Sequence, residues 1–427
     1  MKLSRRALIA SALTAGAGGA AFTALSPSLR VAFNAAKTHG ATTHSRDILV
    51  VVFLRFGSDG LQMVAPAEDG DYQDNRPTIA VRSSGDNPGI HIGALDRVPF
   101  FFSPHIPELK PLYDAGHLAV VHAVGLPTHT RSHFESQDMM ERGVTENTGP
   151  LNGGWVARHL MAHDLGLAPL AAIASAADVQ ASLRGYGGAV AIPDVTQFNG
   201  TGGDFNLNVI EALNKGSEPH AAGVRATIGM IRSVRESLKH ITEGYTTSQD
   251  YPTGEFATSM RSIANLVKMD TGMEVATVDF SGWDHHYKMN TYFPGHAQQL
   301  SKTLAAFWED MKDYQHRLTV VTMTEFGRRL QENTAGGTDH GAGSFMFVRG
   351  GAVNGGTIYG RWPGLKPNQL REGDLAITTD LRQVLQEVLV KRRQESNLHA
   401  VFPSLGYEPL GMLNGLSSAE SLSLPRT

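Results

Sequence analysis

The sequence predicts an α/β fold, a mainly parallel central sheet with helices on both faces. Short, continuous apolar runs recur along the chain, and segments of helical spacing fall between them. Polar and ionisable residues gather just after several of those runs. In sheets of this kind, sites form beyond the carboxyl ends of the strands.

The first run, "DILVVVFLRF" (47–56), has the pattern of a strand buried on both faces and ends in the turn "GSDGL". "PHIPELKPLYDAG" reads as a short helix. "HLAVVHAVGL" (117–126) is the second strand. In the segment after it, Ser132 and Glu135 have the S-x-x-E spacing of a capping box, so a helix is expected to start at His133. "GGWVARHLMAHD" looks helical, but the rest of 150–222 is rich in Ala, Gly, Asn and Thr and reads as an insertion or cap. "RATIGMIRSVRESLKHITEGY" and "FATSMRSIANLVKM" have helical spacing. "MEVATVDF" (273–280) is the third strand. The helix after it places Leu300, Leu304, Phe307 and Met311 on one face. "RLTVVTMT" (317–324) is the fourth strand and "SFMFVRGG" (344–351) the fifth; "TTDLRQVLQEVLVKR" is a closing helix with Thr379 as its N-cap.

The chain has 427 residues, 41% of them hydrophobic, enough for a substantial core in one large domain. Lysine and arginine total 37 against 41 acidic residues, so there is no basic excess to hold a phosphate backbone, and nucleic acid is not an expected partner. With no cysteine, disulfides and Cys-ligated zinc, iron–sulfur or haem sites are excluded. A metal must take His, Asp, Glu and neutral oxygen donors, which suit Zn, Mn, Fe, Mg or Ca.

The first 25 residues carry the pair Arg5-Arg6 after Ser4, then a mildly apolar run rich in Ala and Gly. This is the form of a twin-arginine export signal; the bland alternative is the basic start of a general secretory signal. Residues 1–36 are expected to be signal and tether, with the fold in 37–427. The expected partner is the twin-arginine machinery and the expected location periplasmic or extracellular. No later run approaches the roughly 20 apolar residues of a membrane span, so the mature protein is expected to lack one.

The site candidates follow the strands: Asp59 after the first, Thr130, Ser132 and His133 after the second, Asp279, Asp284, His285 and His286 after the third, and Glu325 after the fourth. Asp339 and His340 lie in the loop entering the fifth, flanked by glycines that let the backbone approach an ion. Each has a bland reading. Asp59-Gly60 is a common turn pair. Ser132 is a cap by default, although a hydroxyl at a helix N-terminus also faces N–H groups that favour an anion, with Arg131 beside it. Sequential histidines point in different directions, so at most one of His285 and His286 is expected to be a ligand. Glu325 has Arg328 or Arg329 as possible salt partners. Donors from four or more separated segments point to one shared polar site.

The ordered motifs "GSDGL", "HTRSHFESQD", "VDFSGWDHH", "TMTEFGRR", "GTDHGAGSFMFVRGG" and "IYGRWPGL" resemble the domain-of-unknown-function 1501 family over about Asp47 to Pro403. That family is generally placed near the alkaline phosphatase and sulfatase superfamily. The resemblance implies an alkaline-phosphatase-like fold and a metal-dependent hydrolase of phosphate or sulfate esters acting on a small anionic substrate. It implies Asp59 as the first metal ligand, with Asp284, His286, Glu325 and His340 completing the site; Asp339, beside His340 in the glycine-flanked loop, is a further candidate ligand. Ser132 is implied as nucleophile and Thr130 as second candidate, while Arg131, beside Ser132, is expected to clamp the anion. Three departures stand out. Phe326 follows Glu325 where the superfamily has a His, the family's Gly-Gly-Asn-Asp-Gly-Leu is here Phe56-Gly57-Ser58-Asp59-Gly60-Leu61, and its Trp-Asp-Thr-His is Trp283-Asp284-His285-His286. The missing His favours the alternative, a non-catalytic metal or anion binder or an envelope scaffold on the same fold.

Overall fold

A computed structural model describes residues 47–146, 151, 153–163, 170–197, 203–216 and 250–415, with short pieces at 21–22, 31–32 and between 221 and 232. Most of the segment expected to be an export signal, and of the segment expected to be helical after Val224, lies outside the described residues. The chain forms two compact units: Ser45–Leu151, Gln249–Ala257 and Val278–Thr427 make the larger one.

The larger unit is built on β1 (Ile48–Leu54), β2 (Leu118–Gly125), β3 (Val275–Phe280, of which Val278 onward belongs here), β4 (Leu318–Met323) and β5 (Ser344–Gly350). Their order is β3-β1-β4-β5-β2, and Ile358–Tyr359 and Thr379–Asp380 pair with β2 in parallel. Every residue of β1, β2, β4 and β5 is buried, as strands covered on both faces must be. All five runs of the sequence are strands.

The sheet is mixed. β1 and β4 pair in parallel from Leu318↔Ile48 to Met323↔Phe53. β5 is antiparallel to both its neighbours, with Val321↔Val348 on one side and Ser344↔Val124 on the other. This reversal positions the site. It brings the entrance of β5, and the loop before it, to the rim where β1, β2 and β4 end.

Helix α1 (Gly60–Met63) follows β1, α2 (His133–Arg142) follows β2, α3 (Met289–Asp310) follows β3, and α4 (Leu381–Arg393) follows the Thr379–Asp380 strand. On α3, Leu300, Leu304 and Phe307 are buried, with Met311 buried at its C-cap. Helix α2 starts at His133, with Ser132 as N-cap, but the expected capping box does not form. Ser132 makes no side-chain cap bond, and Thr130 Oγ1 donates to the Glu135 carboxylate at 2.7 Å. In α4 the cap lies one residue beyond Thr379: Asp380 and Gln383 form the box, while Thr379 pairs with Val124 at the sheet edge.

The smaller unit contains Met1–His44, Asn152–Ser248 and Thr258–Thr277. Within it Trp155–Ala162 is a helix, and the strands Ala172–Ser175 and Ala189–Ala191 pair in parallel. Ala21–Phe22 and Val31–Ala32 form a short antiparallel pair. Among the described residues no helix is long and apolar enough to cross a membrane.

Candidate metal centre

One oxygen organises the rim of the larger unit. Asp284 Oδ1 lies 3.4 Å from His133 Nε2, 3.0 Å from His286 Nε2, 3.3 Å from His340 Nε2 and 2.6 Å from Arg328 Nη2. His133 opens α2, Asp284 and His286 follow β3, and His340 ends the strand Thr338–His340, which pairs with Arg328–Glu332 after β4. The donor atoms of His133, Asp284 and His340 lie within 4.8 Å of one another.

Each imidazole is held from behind by its other nitrogen. His133 Nδ1 is 2.8 Å from Glu325 Oε1, and His286 Nδ1 is 3.1 Å from Asp339 Oδ1. His340 Nδ1 is 2.7 Å from the Arg131 carbonyl. A carbonyl only accepts, so His340 Nδ1 carries the hydrogen; ionised carboxylates demand the same of the other two. In its neutral form each of the three rings thus turns an Nε2 lone pair inward. His286 Nε2 and His340 Nε2 are 2.9 Å apart.

Glu325 is buried, and its Oε1 accepts from Phe56 N at 2.8 Å and Gln137 Nε2 at 2.9 Å as well as from His133. Burial pushes this carboxyl up, but the bonds from His133 and Gln137 outweigh it and hold it below the usual range. Asp284 behaves likewise: burial raises it, and His133, His340 and Arg328 pull it well below the ordinary carboxylate range. Burial lowers His133, and Asp284 and Glu325 together raise it above an ordinary histidine. Asp339 is exposed, yet its bonds from Asn333 and His286 overcome desolvation and keep it low.

Of the residues expected to form the site, Asp284, His286 and His340 come together at one point. Glu325 and Asp339 stand one step behind, orienting histidines. Asp59 is engaged elsewhere. Its buried carboxylate pairs with Arg76 at 2.9 Å, accepts from Thr338 Oγ1 at 3.1 Å, and caps α1 through Gln62 N. Arg131 does not aim its guanidinium at the cluster; Asp374 holds it at 2.6 Å. Thr130 and Ser132 lie in the loop leading to His133, with Ser132 exposed and its N–H bonded to Thr130 Oγ1. The two sequential histidines diverge as their spacing demands. His285 is buried among Trp283, Phe293 and His296, and burial with the nearby His296 and Arg328 pushes it down to about 4.

His133 as a potential ligand, rather than only a polar candidate at the rim, and Arg328 as the Asp284 partner go beyond the sequence reading. His133 stood in the polar group after the second strand, but the S-x-x-E pattern gave it the part of a helix start. Arg328 is fully buried and also binds the carbonyls of Phe56, Gly57, Trp283 and Thr338. Phe326, at the position of the missing His, stacks on the His133 ring with centroids 4.7 Å apart and lies 5.0 Å from His340. Its ring packs two of the histidines.

The family model described as "Protein of unknown function (DUF1501)" matches residues 226–390. Over that stretch the chain is similar to the DUF1501 family. The DUF1501 match includes Asp284, His286, Glu325, Arg328 and His340, and begins beyond His133. No curated protein matches the chain in sequence. Among solved structures, the chain is similar to the lipoteichoic acid synthase LtaP from Listeria monocytogenes, at 9% identity and a TM-score of 0.31 over 78% of this chain and 74% of that one. It is also similar to the sulfatase PsFucS1 from Pseudoalteromonas sp., at 11% identity and a TM-score of 0.35 over 88% and 72%. A variant of TAB5 alkaline phosphatase with Mg bound gives 8% identity and a TM-score of 0.29 over 71% and 91%.

Proposed function

We propose that His133, His286, His340 and Asp284 hold one divalent transition-metal ion, and that the protein is an exported, metal-dependent hydrolase of phosphate or sulfate esters. The observation that carries the metal is the common orientation of three imidazoles. With hydrogens fixed on the Nδ1 atoms, three Nε2 lone pairs converge on a carboxylate oxygen, and two of them are 2.9 Å apart. Lone pairs so placed repel unless protons or a metal ion lie among them, and a metal ion takes all of them at once. A carboxylate or carbonyl behind each ligand histidine is the arrangement that fixes its tautomer and raises its basicity. Three nitrogen donors with one oxygen suit Zn, Mn or Fe better than Mg or Ca. Arg328 opposes the ion with a fixed positive charge, but Asp284, Glu325 and Asp339 outnumber it.

A metal bound here supplies Lewis-acid polarisation of an ester oxygen. The chain supplies the start of α2, whose first-turn N–H groups favour an anion, with the hydroxyl of Ser132 beside His133. Ser132 is the proposed nucleophile and Thr130 the reserve. The motif resemblance to DUF1501 and its superfamily supports the ester class, and Arg5-Arg6 supports export. The Arg131–Asp374 pair favours the second reading, a non-catalytic metal binder, because it withdraws the nearest arginine from anion binding.

The test is turnover of aryl phosphate and aryl sulfate esters with Zn, Mn or Fe added. Hydrolysis is expected, and its loss in His340→Ala. A chain that binds metal but turns over neither ester is the non-catalytic protein.

A further inference from the structure

Phe56 follows β1 and has a backbone φ of 79°, in the left-handed region that an aromatic residue rarely occupies. Gly57 follows it with a φ of 71°, so two successive residues turn the chain away from the strand end. Glycine takes this conformation freely, whereas a side chain at position 56 strains it. Strain of this kind persists where surrounding contacts hold it, and here they are specific. Phe56 N donates to Glu325 at 2.8 Å and its carbonyl accepts from Arg328 at 2.6 Å. Glu325 holds His133, and Arg328 holds Asp284. The Phe56 ring stands edge-on to His133, with centroids 5.3 Å apart and planes at 76°, and Phe326 stacks on the same imidazole with planes at 27°.

We infer that Phe56 is a positioning residue of the metal centre: its strained backbone sets a ring that, with Phe326, clamps the His133 imidazole with Nε2 aimed at the ion. The clamp limits tilting of the imidazole between Glu325 and Asp284 and keeps water from its face. Both effects act on metal affinity, since the apolar shell around a ligand governs its solvent access and orientation. The inference rests on the metal reading above.

Phe56→Gly isolates the ring, because glycine suits this φ and keeps both backbone hydrogen bonds. In the full chain, the Kd for Zn2+, measured by competition with a chelator, is expected to rise about 10- to 100-fold. The melting temperature of the metal-free variant is expected to equal or exceed that of the wild type, since the strain is relieved. Phe56→Tyr, which keeps the ring, is expected to bind Zn2+ within about threefold of the wild type. A Phe56→Gly Kd that does not change overturns the inference while leaving the metal centre standing. A fall in the metal-free melting temperature, or failure to fold, overturns it too, because the ring would then be holding the fold. A wild-type chain that binds no Zn2+ removes the metal reading and this inference together.

Discussion

Glu325 Oε1 lies 2.8 Å from His133 Nδ1 and, through that ring, stands behind the Nε2 that faces Asp284. Glu325→Gln preserves the shape and removes the charge that fixes the tautomer. Its metal affinity is expected to fall about 10- to 100-fold, with helix content unchanged. Titration of the variant with Zn2+, alongside circular dichroism, reads both. An unchanged affinity would place Glu325 in the fold alone.

Asp59 sets the opposite demand. Its carboxylate is buried on Arg76, and removal of one partner leaves the other charge without compensation. Asp59→Ala is expected to cost about 3–5 kcal/mol of stability. Metal affinity of the folded fraction should move by less than about threefold, well short of losing a ligand. Urea unfolding and metal titration decide it: a variant of normal stability that has lost its metal makes Asp59 a ligand.

The two carboxylates and the histidine predict a pH profile for the metal-free protein. Asp284 and Glu325 are held below their ordinary values of 3.8 and 4.5, so their contributions are complete above those values and disappear as pH falls through the lower folded ones. His133 is raised above 6.5, so its contribution is complete below 6.5 and is lost as pH rises through the folded value. Melting temperature should therefore decline on the acid side and again above neutrality. Metal binding needs His133 without its proton and should strengthen over the same rise. A metal-free melting temperature that climbs above neutral pH contradicts this assignment.

Much of the fold was legible because its cause is local. A strand buried on both faces must be apolar throughout, and β1, β2, β4 and β5 are. Strand direction is not local: nothing in "SFMFVRGG" marks β5 as antiparallel, yet that reversal brings His340 to the rim. The same distinction runs through the site. Asp284 and His286 stand out because they are dense and follow a strand. His133 stood among the polar residues after the second strand, but its segment read as a helix start, and the Glu325 carboxylate that orients it is 192 residues away. Asp59 has an acid's signature of a ligand, but Arg76, which holds it, belongs to no motif.

Ser132 makes no cap bond, so Ser132→Ala is expected to change stability by less than about 0.5 kcal/mol. As nucleophile its loss should abolish turnover of whichever aryl ester is hydrolysed. Steady-state kinetics on that ester read the outcome. Retention of most of the activity moves the role to Thr130, and retention in both alanine variants leaves a metal-activated water.

The central claim is that three imidazoles and Asp284 form a metal centre, and metal content tests it most directly. The full-length protein, folded and loaded with Zn, Mn or Fe, then freed of loosely held ions and analysed by mass spectrometry, is expected to retain one ion per chain. His340→Ala, folded by circular dichroism, is expected to retain none. A folded wild-type chain that takes up none of the three metals, or a His340→Ala chain that keeps the full content, would contradict the account.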